Sequence, residues 1–99
     1  MIANDRTLAR LAAQGDQEAF AELVRQHQAD LYNVAWRMLG EAAEAEDAVQ
    51  ETFIRAHRAL KGYDPARPPG PWLRRIAVNV CLNRLEARRP ETRLDEEAA

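Results

Sequence analysis

Apolar residues recur at intervals of three or four along most of the chain, the spacing that places side chains on one face of an α-helix. The longest series runs between Asp16, a favourable N-cap, and Gly40, a favourable stop. No stretch alternates apolar and polar residues as a half-buried strand does. The pattern therefore predicts an all-α protein, a compact bundle of about four helices over residues 5–14, 16–39, 43–61 and 72–89.

A proline-rich loop, residues 62–71, separates the last two predicted helices. Four of its ten positions are proline, and proline disfavours helical backbone in the residue before it. The loop is therefore expected to be stiff, with Gly70 as its one flexible joint. Pro71 is expected in the first turn of the fourth helix, where a missing N–H group costs no hydrogen bond.

The third predicted helix has two different faces. One carries an apolar stripe suited to a core, which consists of Val49, Phe53, Ala56 and Leu60. The row beside it is mostly polar and consists of Asp47, Gln50, Glu51 and Ile54. We expect the stripe to pack inside the bundle and the row to face a partner.

The fourth predicted helix carries a polar row between two apolar flanks. Arg75, Asn79 and Asn83 lie at steps of four, so they share one helix face. Asparagine has a low helix propensity, which indicates either pairing with a nucleic-acid base edge or a buried structural hydrogen bond. The second apolar flank, beside the inward-facing one, consists of Val78, Leu82 and Leu85. Four further arginines are candidate phosphate contacts, namely Arg84, Arg88, Arg89 and Arg93.

Acidic and basic residues are concentrated in different parts of the chain, although the net charge is only −2. Residues 1–52 carry 4 basic and 10 acidic side chains, whereas residues 53–93 carry 10 basic and 3 acidic ones. An arginine-rich segment favours a polyanionic partner, and an acidic segment favours a basic protein surface. The alternative is that both segments are solvated helix faces without a partner.

Composition argues against catalysis and against a bound cofactor. The chain has one cysteine and no serine, which excludes a cysteine metal cluster and a serine nucleophile. The N-terminus lacks the basic and apolar pattern of a secretory signal, and no apolar run is long enough for a membrane helix. These features predict a cytoplasmic protein that is not an enzyme and has no cofactor, metal or membrane-inserted segment.

Two segments resemble region 2 of bacterial sigma factors of the extracytoplasmic-function (ECF) type. AEAEDAVQETFIRAHRAL is similar to the family's polymerase-binding helix, and PWLRRIAVNVCLNRLEARRP is similar to its helix for promoter melting and minus-ten recognition. On this resemblance, residues 1–90 form a region 2 domain and residues 91–99 an acidic tail that starts an interdomain linker. The family's second DNA-binding domain, which reads the minus-thirty-five element, has no counterpart in the chain.

The resemblance also implies partners and roles. Core RNA polymerase is expected to contact the Asp47, Gln50, Glu51 and Ile54 row through the clamp helices of its largest subunit. The promoter minus-ten element is expected to bind as single-stranded non-template DNA, and an anti-sigma factor is a third expected partner. The residues implied in DNA binding are Lys61, Tyr63, Trp72, Arg74, Arg75, Asn79, Asn83, Arg84, Arg88 and Arg89.

The chain departs from the family pattern in the loop before Trp72. Relatives usually place an aromatic residue there, whereas this chain has Pro68, Pro69 and Gly70, which leaves Tyr63 as the loop's only aromatic residue. One alternative stays open, a helical protein-interaction module, either an adaptor or an anti-sigma-bound domain, that does not itself bind DNA. A duplex-reading helix-turn-helix is disfavoured by the long proline-rich loop, and a hydrolase by the lack of a nucleophile and base.

Overall fold

The structure, a computed structural model, describes residues 4–88. Within that range it contains helices α1 (Asp5–Ala13), α2 (Gln17–Leu39), α3 (Ala42–Ala59) and α4 (Pro69–Ala87), with a 3₁₀ turn at Leu60–Gly62 after α3. The predicted all-α bundle is confirmed. The expected acidic tail and the domain boundary at residue 90 lie outside the described residues.

Polar caps fix where the first two helices begin. Asn4 Oδ1 accepts a hydrogen bond from the Thr7 N–H at 2.9 Å, and Asp16 Oδ1 accepts one from the Ala19 N–H at 3.0 Å. Each cap satisfies a first-turn donor that has no carbonyl partner within its helix. Helix α2 ends where Gly40 adopts a left-handed φ of 70°, a conformation that glycine adopts without strain.

We expect Gly40→Ala to destabilise the fold by about 1 kcal/mol, because a β-carbon disfavours the left-handed conformation. No atom would lie within 4 Å of that β-carbon, so the loss would be conformational and not steric. Gly62→Ala is the matched control, since its site is equally open and its φ is not positive. Urea unfolding is expected to reveal a loss for Gly40→Ala alone, and equal losses would contradict this explanation.

Helix α4 begins three residues before the predicted start at Trp72. Pro69 occupies its first position and Pro71 its third, and Pro68 precedes them with extended backbone angles (φ −65°, ψ 139°). Because the first-turn N–H groups of a helix have no acceptor within the helix, proline can replace those residues at little cost. The prolines therefore start the helix, and the loop that connects it to the 3₁₀ turn shortens to residues 63–68.

Helix α2 packs against each of α1, α3 and α4, and α3 also packs against α4. Leu23 and Leu31 of α2 share the core with Leu73 and Val80 of α4, and all four are at most 1% exposed. The apolar stripe of α3 is buried as expected. Leu82, in the second apolar flank of α4, is 51% exposed, because α2 and α3 cover the side of α4 that carries Leu73 and Val80.

Candidate docking and nucleic-acid interfaces

The polar row of α3 lies on the surface of the bundle. Asp47 and Gln50 are exposed, and Ile54 is 53% exposed. Val49 and Phe53 of the same helix are buried, so the core holds one face of α3 while the row remains accessible. Ile54 therefore gives the row an accessible apolar contact beside its polar groups.

Glu51 differs from the other members of this row because it is ion-paired within the bundle. Its carboxylate lies 2.9 Å from Arg55 on the same helix and 3.6 Å from Arg84 on α4. Glu51 therefore links α3 to α4. Asp47, by contrast, has no ion pair within residues 4–88, which leaves its carboxylate available to a basic partner.

A groove between α2 and α3 runs beside the row and has a volume of about 480 Å³. Tyr32 and Val49 contribute apolar lining, and Arg25, Glu46 and Gln50 contribute polar lining. The α2 side of this surface was not predicted from the sequence. Tyr32 was the available signal, since it is an aromatic residue next to Leu31 in the predicted second helix.

The polar row of α4 is also on the surface. Arg75, Asn79 and Asn83 are all exposed, so the alternative of buried structural hydrogen bonds is wrong for both asparagines. A shallow depression of about 340 Å³ lies at the start of the row, and it is lined by Pro71, Arg74, Arg75, Val78 and Asn79. Amide and guanidinium groups beside apolar carbons are suited to contact both the edge and the face of a nucleobase.

A second cavity lies between the loop and the start of α4, and we call it the loop cavity. Its volume is about 360 Å³, and its lining consists of Gly62, Tyr63, Asp64, Arg67, Pro68, Pro71, Trp72 and Arg75. The rings of Tyr63 and Trp72 pack at a centroid distance of 4.6 Å with 44° between their planes. The loop cavity is therefore bounded by both aromatic residues that the family resemblance implies in DNA binding, Tyr63 and Trp72.

Tyr63 forms a fixed wall of the loop cavity. Its side chain is only 7% exposed, and its hydroxyl donates a hydrogen bond to the Arg67 carbonyl. Burial raises the pKa of this hydroxyl, and the nearby Asp5 carboxylate raises it further. Because the ring is already enclosed, Tyr63 shapes the cavity and does not offer a free face for base stacking.

Several arginines that the resemblance implies in DNA binding are ion-paired in this structure. Arg74 lies 2.9 Å from Asp30, and Arg88 pairs with Glu44 and donates to the Leu39 carbonyl. Together with the Arg84 pair described above, these contacts hold three cations against the bundle. Each of these arginines would have to break its ion pair within the bundle before it could contact a phosphate.

Lys61 and Arg75 are exposed and have no ion pair within residues 4–88, whereas Arg89 and Arg93 lie outside the described residues.

The described residues contain no cluster of three metal-binding side chains and no helix able to span a membrane. Cys81 is buried, and this burial raises the pKa of its thiol, as expected of an unreactive packing residue.

These features define a small helical domain with an acidic surface on one helix and a basic, amide-bearing surface on the next. Residues 23–91 match the Sigma-70 region 2 family. The chain belongs to that family, and the resemblance seen in the sequence is confirmed.

Curated relatives are ECF sigma factors. The chain is 42% identical to ECF RNA polymerase sigma factor SigW of Bacillus subtilis (strain 168) over 85 residues, which cover 86% of this chain and 46% of SigW. It is 44% identical to ECF RNA polymerase sigma factor SigE of Mycolicibacterium smegmatis over 79 residues, which cover 77% of this chain and 30% of that protein. The chain thus spans less than half the length of either relative.

Two solved structures share the fold. The NMR structure of an engineered region 2 of sigmaE in complex with GTAAAA has a TM-score of 0.83 and 40% identity, and the match covers 90% of this chain and 95% of that one. The structure of CnrH in complex with the cytosolic domain of CnrY has a TM-score of 0.76 and 40% identity, and covers 80% of this chain and 51% of CnrH.

Proposed function

We propose that this chain is the region 2 domain of an ECF sigma factor, with residues 1–90 as the domain and residues 91–99 as the start of a linker. It binds core RNA polymerase through α3 and recognises the minus-ten element, as single-stranded non-template DNA, through α4 and the loop before it. The observation that carries the proposal is the separation of two exposed rows on neighbouring helices, an acidic one at Asp47 and a basic, amide-bearing one at Arg75 and Asn79.

The α3 row is suited to the basic clamp helices of the largest polymerase subunit. Ile54 supplies an apolar contact, and Asp47 and Gln50 supply charged and polar contacts beside the groove between α2 and α3. Opposite charge on the two surfaces would govern the rate and orientation of docking more than the final affinity. Glu51 contributes less directly, because it already pairs with Arg55 and Arg84.

Promoter melting on this surface requires binding and no covalent chemistry, so the proposed activity is not enzymatic and takes place in the cytoplasm with the polymerase. A base that leaves the duplex loses a few kcal/mol of stacking and pairing, and capture in the loop cavity offsets that loss. The exposed Asn79 and Asn83 amides would read the edges of neighbouring bases, and Arg75 and Lys61 would contact phosphates. The complex of sigmaE region 2 with GTAAAA supports the proposal that this domain binds DNA.

An anti-sigma factor is the third proposed partner. CnrH, which shares this fold, is held by the cytosolic domain of CnrY. On this chain, the groove between α2 and α3 together with the exposed Ile54 offers an apolar surface that such a partner would cover. A partner bound there would exclude the polymerase from the same surface.

One observation favours the alternative of a protein-interaction module without DNA binding. Arg74, Arg84 and Arg88 are each ion-paired within the bundle, so fewer cations are available to a phosphate backbone than the sequence indicates. The two functions differ in one outcome. The alternative expects polymerase or anti-sigma binding without any measurable binding of single-stranded DNA.

The two functions are distinguished by using this chain to select the strands that it binds from a random pool of single-stranded DNA decamers. Retained strands are expected to share one short motif, and binding is expected to fall steeply with added salt, because cations at the phosphates release counterions. Recovery of strands without a shared motif would contradict base recognition. No binding of any strand, together with intact polymerase binding, would establish the alternative.

We expect Asn79→Ala to relax the selected motif at one position, with a loss of about 1–3 kcal/mol for the preferred base there. The physical reason is that the exposed carboxamide supplies both a donor and an acceptor to a base edge, and alanine supplies neither. Gln17→Ala removes an exposed carboxamide from α2 and serves as control. A motif that is unchanged in Asn79→Ala would remove Asn79 from the reading surface.

A further inference from the structure

Arg74 lies on the surface proposed to bind DNA, yet its charge is already engaged by a residue of another helix. It shares the shallow depression at the start of the α4 row with Arg75 and Asn79. Its Nε and Nη2 both donate to Oδ2 of Asp30 on α2, at 3.2 and 2.9 Å. These two nitrogens form an edge with which a guanidinium binds a carboxylate or a phosphate. One binding edge of Arg74 is therefore occupied by a carboxylate of the bundle itself.

This pair is the most exposed of the three that hold DNA-binding candidates against the bundle. The Arg74 side chain is 51% exposed and the Asp30 side chain 48%. Arg84 and Arg88 are 30% and 37% exposed, and Arg88 also donates to the Leu39 carbonyl. Because an exposed ion pair contributes little to stability, a phosphate can replace the carboxylate at Arg74 more readily than at the other two arginines.

The packing of α2 on α4 does not depend on Asp30. The neighbouring Leu31 is 0% exposed and shares the core with Leu73 of α4, so apolar contacts join the two helices. Within residues 4–88, Arg74 is the one ion-pair partner of Asp30. The effect of Asp30 is therefore mainly electrostatic, since it neutralises Arg74 and places a negative charge beside a surface proposed to bind a polyanion.

We propose that Asp30 sets the DNA affinity of this domain, because it competes with the phosphates of a bound strand for Arg74. This inference rests on the proposed binding of single-stranded DNA by α4, and it gives a role to an α2 residue that the sequence pattern did not single out. Phosphates are the same in every sequence, so Asp30 lowers the affinity for all strands alike and leaves base recognition to Asn79. Asp30 is a positioning residue that acts through Arg74.

Asp30→Asn tests the proposal, because the amide keeps the shape of the carboxylate and loses its charge. Wild type and variant are titrated with a labelled strand that carries the selected motif and with a scrambled strand, at several salt concentrations. Asp30→Asn is expected to bind both strands about three- to fivefold more tightly than the wild type. Its log affinity is expected to fall more steeply with log salt, by about 0.7 in slope, because one more cation contacts a phosphate. Asp30→Glu can keep the ion pair and is expected to restore the wild-type affinity and slope.

Arg74→Ala distinguishes the release of Arg74 from the simple loss of a negative charge. In the Arg74→Ala background, Asp30→Asn is expected to lose most of its gain in affinity and all of the steeper salt slope. The same gain with and without Arg74 would mean that Asp30 only repels the strand, and would overturn the proposal. Glu18→Gln is the matched control, since it removes an exposed α2 carboxylate that has no ion pair within residues 4–88 and should leave affinity and slope unchanged.

The remaining outcomes separate this proposal from the proposed DNA binding. Unchanged affinity of Asp30→Asn, or a gain confined to the strand with the motif, would overturn the role of Asp30 while the proposed DNA binding stands. Absence of binding of any strand by both the wild type and Asp30→Asn would overturn both. Circular dichroism of each variant checks that its helices are intact.

Discussion

Asp47→Arg is expected to weaken binding of the chain to core RNA polymerase by about 100-fold, which corresponds to roughly 3 kcal/mol. Asp47 is exposed on α3 and has no ion pair within residues 4–88, so its carboxylate is available to a basic surface. Arginine at this position would place like charges against each other, and like-charge contacts across an interface cost several kcal/mol. Titration of fluorescently labelled chain with core polymerase measures the change.

Glu41→Arg is the control for this prediction. It makes the same change of charge at the N-cap of the same helix, and the Glu41 side chain forms no capping hydrogen bond. Asp47→Asn should give an intermediate loss, because it removes the attraction without adding repulsion. Glu51→Arg tests the docking surface less specifically, since it would also break the ion pairs to Arg55 and Arg84 within the bundle. Equal affinity for Asp47→Arg and the wild type would mean that the row on α3 is not the docking surface.

Leu73→Ala is expected to lower the free energy of unfolding by about 3 kcal/mol. Leu73 is 0% exposed in the core beneath the start of α4, and its truncation would remove apolar contacts and leave a cavity. A domain of this size typically has only about 5–15 kcal/mol of total stability, so the loss would be a large share. Urea unfolding followed by circular dichroism measures it.

Leu82→Ala is the matched control for the core prediction, since it makes the same chemical change on the same helix. Leu82 is 51% exposed, so its truncation is expected to cost less than about 1 kcal/mol. Similar losses at both positions would contradict the packing side assigned to α4. A large loss at Leu82 alone would mean that α4 turns Leu82, and not Leu73, toward the core.

The helices could be predicted from the sequence because the signals that define them are local. Asp16 and Gly40 mark the ends of α2 through capping and backbone conformation, and the apolar spacing of α3 depends only on the helical period. The start of α4 was predicted at Trp72 and lies at Pro69. Proline fits both a loop and a first helical turn, so the sequence alone did not decide between them.

The candidate site could be predicted only in part, because its remaining features depend on tertiary contacts. The exposure of Asp47 follows from helical spacing and was expected, whereas the exposure of Asn79 was one of two alternatives that the sequence left open. The pairing of Glu51 with Arg84 joins residues on different helices, and no local pattern specifies it. The burial of Tyr63 against Trp72 depends on how the loop folds over α4, so spacing along the sequence could not indicate that Tyr63 is enclosed.

Co-retention on immobilised core polymerase tests the central claim most directly, namely that α3 docks on the polymerase and α4 binds single-stranded DNA. The wild-type chain is expected to be retained and to retain a labelled strand carrying the selected motif. The Asp47→Arg chain is expected not to bind the immobilised polymerase, so the strand is not retained either. The Arg75→Ala chain is expected to be retained without the strand. Full retention of Asp47→Arg, or equal strand retention by Arg75→Ala and the wild type, would contradict the account.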